Sequence, residues 1–108
     1  MARPLRIQYP GAIYHVVFRG NEQRELFRDE ADRRHMLENL EDSVELHALR
    51  VYLVCLMPNH VHLLLETPRG NLSAFMGRLL TAYTMYFNRR HQRVGHLTQG
   101  RYKAQVVE

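Results

Sequence analysis

The residues best suited to chemistry are His60 and His62, separated by Val61 and followed by the apolar run Leu63-Leu64-Leu65. In an extended chain alternate side chains share a face, so both imidazoles point one way while Val61 and Leu63 point the other. Two residues of strand rise span about 7 Å, close enough for both rings to reach one cation. Packing does not call for two same-face imidazoles on a strand of hydrophobes. One ring can nevertheless satisfy a backbone carbonyl while the other faces water, so spacing alone leaves a structural and a metal-binding or catalytic use both open.

Charge supplies the second chemical feature. The formal net charge is +4, but its distribution is uneven: residues 1–66 hold eight Arg against ten acidic residues, and residues 67–108 hold seven basic residues against Glu108 alone. Fourteen of the fifteen basic residues are Arg, Lys103 being the exception. Guanidinium groups contact phosphate in a planar, bidentate manner and stack on bases, so the second half of the chain reads as a nucleic-acid surface. A solvated basic face without a partner is the alternative, because charge is blind to sequence.

The elements that must position these groups can be read from periodicity. Gly11 to Phe18 is predicted as a first strand, with Tyr14, Val16 and Phe18 alternating with His15, Val17 and Arg19, and Arg19-Gly20-Asn21 breaking it. Residues 3–10, carrying Pro4 and Pro10, are expected to be extended. Asp29 caps a helix from about Glu30, whose apolar positions are Met36, Leu37, Leu40, Val44 and Ala48, with Asp32, Arg33, Arg34, Glu38 and Glu41 opposite. Residues 49–56 are nearly continuous in hydrophobes and are expected to form an interior strand. Pro58-Asn59 makes a tight turn into a strand over 60–66, which puts the His pair at its start. Asn71 caps a second helix with the stripe Leu72, Phe75, Met76, Leu79, Leu80, Tyr83, Tyr86 and Phe87, ending near Arg90. Gly95 to Glu108 has room for a last strand or an ordered arm.

That order fits a single α+β domain over residues 1–108, a ferredoxin-like sandwich of an antiparallel sheet with two helices on one face. In that topology the first strand lies beside the third, which would bring His15 and Arg19 near His60 and His62. A hydrophobic content of 45% and one cysteine exclude a disordered chain and a disulfide framework, and Cys55 reads as a small buried hydrophobe. Neither a signal core behind Met1–Arg6 nor a run near the roughly 20 apolar residues of a membrane span is present. A soluble cytoplasmic protein without membrane contact is expected.

Several longer stretches carry a family resemblance. Tyr14-His15-Val16-Val17-Phe18-Arg19-Gly20-Asn21 and Leu56-Met57-Pro58-Asn59-His60-Val61-His62-Leu63-Leu64 resemble the HUH single-tyrosine transposases. Tyr83-Thr84-Met85-Tyr86-Phe87-Asn88-Arg89-Arg90-His91 and Gly95-His96-Leu97-Thr98-Gln99-Gly100-Arg101-Tyr102-Lys103 are similar to the REP-associated tyrosine transposase branch. The resemblance implies that His60 and His62 bind a divalent metal, magnesium or manganese, and that the substrate is single-stranded or hairpin DNA. It implies strand cleavage and rejoining through a 5′-phosphotyrosine, and a homodimer. A phenol with a pKa near 10 needs a nearby cation to act as a nucleophile, and the same cation offsets charge on the phosphate.

The family's nucleophilic tyrosine lies on a further helix, of Tyr-x-His-x-Asn-Pro character, after the stretch matching Gly100-Arg101-Tyr102-Lys103-Ala104. No tyrosine here matches it: Tyr83 and Tyr86 fall on the helical stripe, and Tyr102 on the basic arm, where it stacks on a base or packs locally. The expectation is therefore a transposase-like domain lacking the tyrosine helix, inactive alone, with no assignable catalytic residue. His60 and His62 are its metal ligands, and Arg89, Arg90, Arg93, Arg101 and Lys103 its phosphate contacts, with Arg19 and Asn21 in a polar turn beside the metal. The rivals are a nucleic-acid-binding module without metal, and a small metallohydrolase using the His pair with His15 or Glu66. Glu66 shares the parity of the pair but lies about 13 Å along the strand from His62, too far to join it.

Overall fold

A computed structural model describes residues 9–107. Most of the extended stretch expected over residues 3–10, and Glu108, lie outside the described residues. Strand β1 (Ala12–Arg19) leads through a short 3-10 turn (Asn21–Gln23) into helix α1 (Glu30–His47). Strands β2 (Arg50–Met57) and β3 (His60–Thr67) form a hairpin, followed by helix α2 (Leu72–Arg90) and strand β4 (Lys103–Val106). The strands pair antiparallel in the order β2-β3-β1-β4, which is the ferredoxin-like arrangement expected from the element order.

Alternation along β1 and β3 divides the sheet into two chemically distinct faces. Tyr14, Val16 and Phe18 of β1 and Val61, Leu63 and Leu65 of β3 are buried, in one core with Leu72, Phe75, Met76, Leu79, Tyr83 and Phe87 of α2 and Met36 and Leu40 of α1. Each fully buried Leu or Phe contributes about 1.5–3 kcal/mol. The other parity, His15 and Arg19 of β1 with His60, His62 and Glu66 of β3, lies on the face without helices.

β2 differs from its expected interior place: it is an edge strand paired only with β3. Its continuous hydrophobicity serves two faces, and Tyr52, Leu53 and Met57 are exposed. A register shift between Val51 and Leu53 marks a bulge, a usual feature of edges.

The helices also hold surprises. Asp29 caps α1 as expected, its carboxylate accepting from the Asp32 amide at 3.1 Å. Asp32, expected on the polar face, is fully buried, and Leu37, expected on the apolar face, is exposed. Asn71 stands at the α2 N-terminus but makes no side-chain cap; its amide donates instead to the His47 carbonyl at 3.0 Å, joining the end of α1 to the start of α2.

Residues after α2 run back to the sheet as an ordered arm before β4. The Asn21 amide donates to the Leu97 carbonyl and the Gln99 amide to the Arg19 carbonyl, both at 2.8 Å. Leu97 is buried and anchors the arm. Gly20 is required where arm, turn and hairpin meet, because a Cβ there would lie 2.0 Å from the Arg24 carbonyl oxygen.

Candidate functional site

Antiparallel register places Arg19 opposite His60, Val17 opposite His62 and His15 opposite Leu64. His15 is therefore a diagonal neighbour of His62 on the same face, a separation long side chains bridge. The His15 and His62 rings are parallel, with centroids 5.3 Å apart and planes within 2°, and His15 Nε2 lies 3.1 Å from His62 Nδ1. The His60 and His62 centroids are 4.9 Å apart. His60 Nδ1 lies 2.8 Å from Asn59 Oδ1. An amide oxygen can only accept, so in this contact the neutral His60 ring carries its proton on Nδ1 and leaves the Nε2 lone pair free.

These residues suit a divalent cation in part. Two imidazoles would supply two ligand positions through whichever ring nitrogens are unprotonated, and ring orientation by a hydrogen bond from the other nitrogen is the usual arrangement at metal sites. Burial, then the neighbouring charges of His60, His15 and Arg19, hold the His62 pKa below its ordinary value, which favours the neutral ligand form. Among the described residues no group of three His, Cys, Asp or Glu side chains is close enough to hold a metal alone. Further positions would fall to water or phosphate oxygen, which a hard cation favours. Glu66 is not part of this group: its Oε1 accepts from the Tyr52 hydroxyl at 2.5 Å, towards the other end of β3.

Two clefts flank Arg19. One, of about 520 Å³, is lined by Arg19, Gly20, Gln23, Asn59, His60 and Gln99. The other, of about 280 Å³, is lined by Val17, Phe18, Arg19, Gln99, Gly100, Arg101 and Lys103. Arg19 thus joins the two clefts, sharing one with His60 and the other with Arg101 and Lys103, while the Asn21 amide ties down the arm. Gln23 and Gln99 were not singled out by the sequence, since a glutamine in a loop carries no spacing signal. Glu22 and Gln23 both have positive φ, 56° and 60°; such strain in ordinary residues tends to gather where a site requires it.

The other expected phosphate contacts lie elsewhere, at the end of α2. Arg90 forms a bidentate pair with Asp29, at 2.6 Å for both bonds, and a third bond of 2.7 Å to Asp32. These carboxylates raise its pKa, hydrogen bonding to Asp29 first, and its charge is met within the protein. Arg93 donates to Asn88 Oδ1 at 2.8 Å, and both Arg93 and Arg28 lie over the Phe87 ring. Arg89 lines a cleft between the helices with His35, Ala82, Met85, Tyr86 and Arg90. Tyr83 donates to the Leu26 carbonyl at 2.5 Å and Tyr86 to Asp32 at 2.8 Å. Tyr102 packs against the core, its hydroxyl 3.4 Å from Ser73 Oγ.

A family model described as IS200-like transposase matches residues 8–108. No functionally curated protein matches the sequence. The structure of a REP-associated tyrosine transposase bound to a REP hairpin superposes with a TM-score of 0.83 at 12% identity, covering 100% of this chain and 63% of that one. A crystal structure of a candidate transposase from Deinococcus radiodurans R1 superposes with a TM-score of 0.72 at 21% identity, covering 99% of this chain and 87% of that one. The present chain thus spans less than two thirds of the first of these relatives.

Proposed function

Because this chain belongs to the IS200-like transposase family, we propose that it binds single-stranded or hairpin DNA across the open face of its sheet. His60 and His62 hold a divalent cation, magnesium or manganese, beside the bound strand. The observation that carries this reading is the meeting of His60 with Arg19 in one cleft and of Arg19 with Arg101 and Lys103 in the adjoining one, the two sharing Arg19 and Gln99. The relative solved with a REP hairpin supports DNA as the partner.

Each group has a definite task. Arg19, opposite His60, and Arg101 and Lys103 on the far side neutralise successive phosphates. Asn59 orients His60 through its Oδ1. Gln23 and Gln99 offer amide donors and acceptors to base edges entering the cleft. When bound, the cation supplies Lewis acidity towards a phosphate oxygen. Arg90 acts instead as a brace between the helices, and Asn21 acts through its backbone. The homodimer belongs to the same proposal, as does the expectation that neither tyrosine of the α2 stripe serves as a strand-transfer nucleophile.

Binding is measured by fluorescence anisotropy of a labelled hairpin oligonucleotide over a salt series. Replacing Arg19, Arg101 and Lys103 together with Gln is expected to lower the slope of log K against log salt by about 2, at roughly 0.7 per lost contact on single strands. Replacing Arg89 and Arg93 leaves the slope nearly unchanged. An unchanged slope in the first variant, with a reduced one in the second, would move the DNA to the helical side.

A further inference from the structure

His15 has no assigned role, yet it makes the closest polar contact to the His pair from a different strand. We propose that His15 is a positioning residue that accepts the Nδ1 proton of His62 and so fixes the tautomer in which His62 Nε2 faces outward with a free lone pair. The inference rests on the metal reading above but concerns a hydrogen bond present without the metal.

With ring planes within 2° and centroids 5.3 Å apart, the 3.1 Å separation between His15 Nε2 and His62 Nδ1 is the edge-to-edge geometry of an in-plane hydrogen bond, in which one nitrogen donates and the other accepts. If His62 Nδ1 donates, its Nε2 is unprotonated, as at His60, where Asn59 imposes the same tautomer. If His62 Nδ1 accepts, its Nε2 carries the proton and has no lone pair for a cation. Only the first assignment leaves both members of the pair as Nε2 ligands. It makes His15 and Asn59 equivalent in purpose, one acceptor for each ring, drawn from β1 and from the hairpin turn. Metal-bound imidazoles almost always have such an acceptor, and removing it lowers metal affinity by about 10–100-fold. The contact depends on register: a one-residue slip of β1 against β3 would send His15 to the helical face.

The test uses 15N-histidine-labelled full chain without metal, at a pH where the imidazoles are neutral. Long-range proton–nitrogen spectra distinguish the two tautomers of each ring. His62 is expected in the Nδ1–H form, which a free histidine side chain in water does not favour. His15→Phe keeps an aromatic ring but offers no acceptor; His62 is then expected to revert to Nε2–H, with manganese affinity by calorimetry falling about tenfold. His15→Gln restores an acceptor and should recover most of both. His15 is exposed, so the fold should survive either change, as the dispersion of the same spectra will report. A His62 ring already Nε2–H in the unmodified chain, or unchanged in His15→Phe, overturns the inference. If the His60→Ala, His62→Ala chain binds manganese as the parent does, the metal reading fails separately while the tautomer result still decides the role of His15.

Discussion

A tyrosine hydroxyl attacks phosphorus only as an accessible phenolate held in line with the leaving oxygen, and neither tyrosine of the helical stripe meets that condition. Burial raises the pKa of Tyr83 well above its ordinary value, and its hydroxyl is committed to the Leu26 carbonyl. Tyr86 is raised by burial and then by its hydrogen bond to the Asp32 carboxylate, which favours the protonated phenol. Both belong to α2, across the sheet from His60 and His62. Incubating the 108-residue chain with hairpin DNA and manganese should therefore yield no denaturant-stable protein–DNA adduct through Tyr83 or Tyr86 on a denaturing gel. An adduct that disappears in Tyr83→Phe or Tyr86→Phe would contradict this assignment. The parity of His60 and His62 was legible in the sequence because a strand has a strict two-residue period. The contact with His15 was only conditionally legible, since it needs the β1–β3 register.

At the scale of elements, the helices are joined by a buried polar centre that sequence periodicity misread. Asp32 is enclosed, and burial alone would raise its pKa. Hydrogen bonds from the Arg28 amide, Tyr86, Arg90 and His91 outweigh burial and lower it. Its side-chain partners lie more than fifty residues along the chain, so no local pattern distinguishes Asp32 from the solvated acids of α1. The misplacement of β2 has a related cause: hydrophobes on both parities signal an interior strand, whereas here one parity packs and the other lies exposed at an edge. Asp32→Ala should cost about 3 kcal/mol, as expected when one partner of a buried charge network is removed, measured by urea unfolding. Asp29 is lowered to about 2, chiefly by hydrogen bonding to Arg90. Both carboxylates have depressed folded pKa values, so the stability they confer is present above the unfolded value of 3.8 and is lost as pH falls through the folded values. Acid unfolding should accordingly begin at higher pH in Arg90→Gln than in the parent; identical acid transitions would remove the brace from the account.

For the whole molecule, the two faces of the sheet divide the labour. One is sealed by α1 and α2 through the core, and the other presents imidazoles and basic side chains without a covering layer. The net charge of +4 arises from a second half rich in Arg, but its cations do not act alike: Arg90 is neutralised within the helical layer, while Arg101 and Lys103 return along the arm to the open face. The most direct test of a metal-dependent DNA site on that face is paramagnetic broadening by manganese. Substoichiometric manganese is added to 15N-labelled protein bound to hairpin DNA, and amide intensities are followed residue by residue. Broadening is expected to centre on residues 15–20 and 59–63, and to be lost in the His60→Ala, His62→Ala variant. Broadening centred instead on the acidic residues of α1, or a pattern that persists unchanged in the variant, would contradict it.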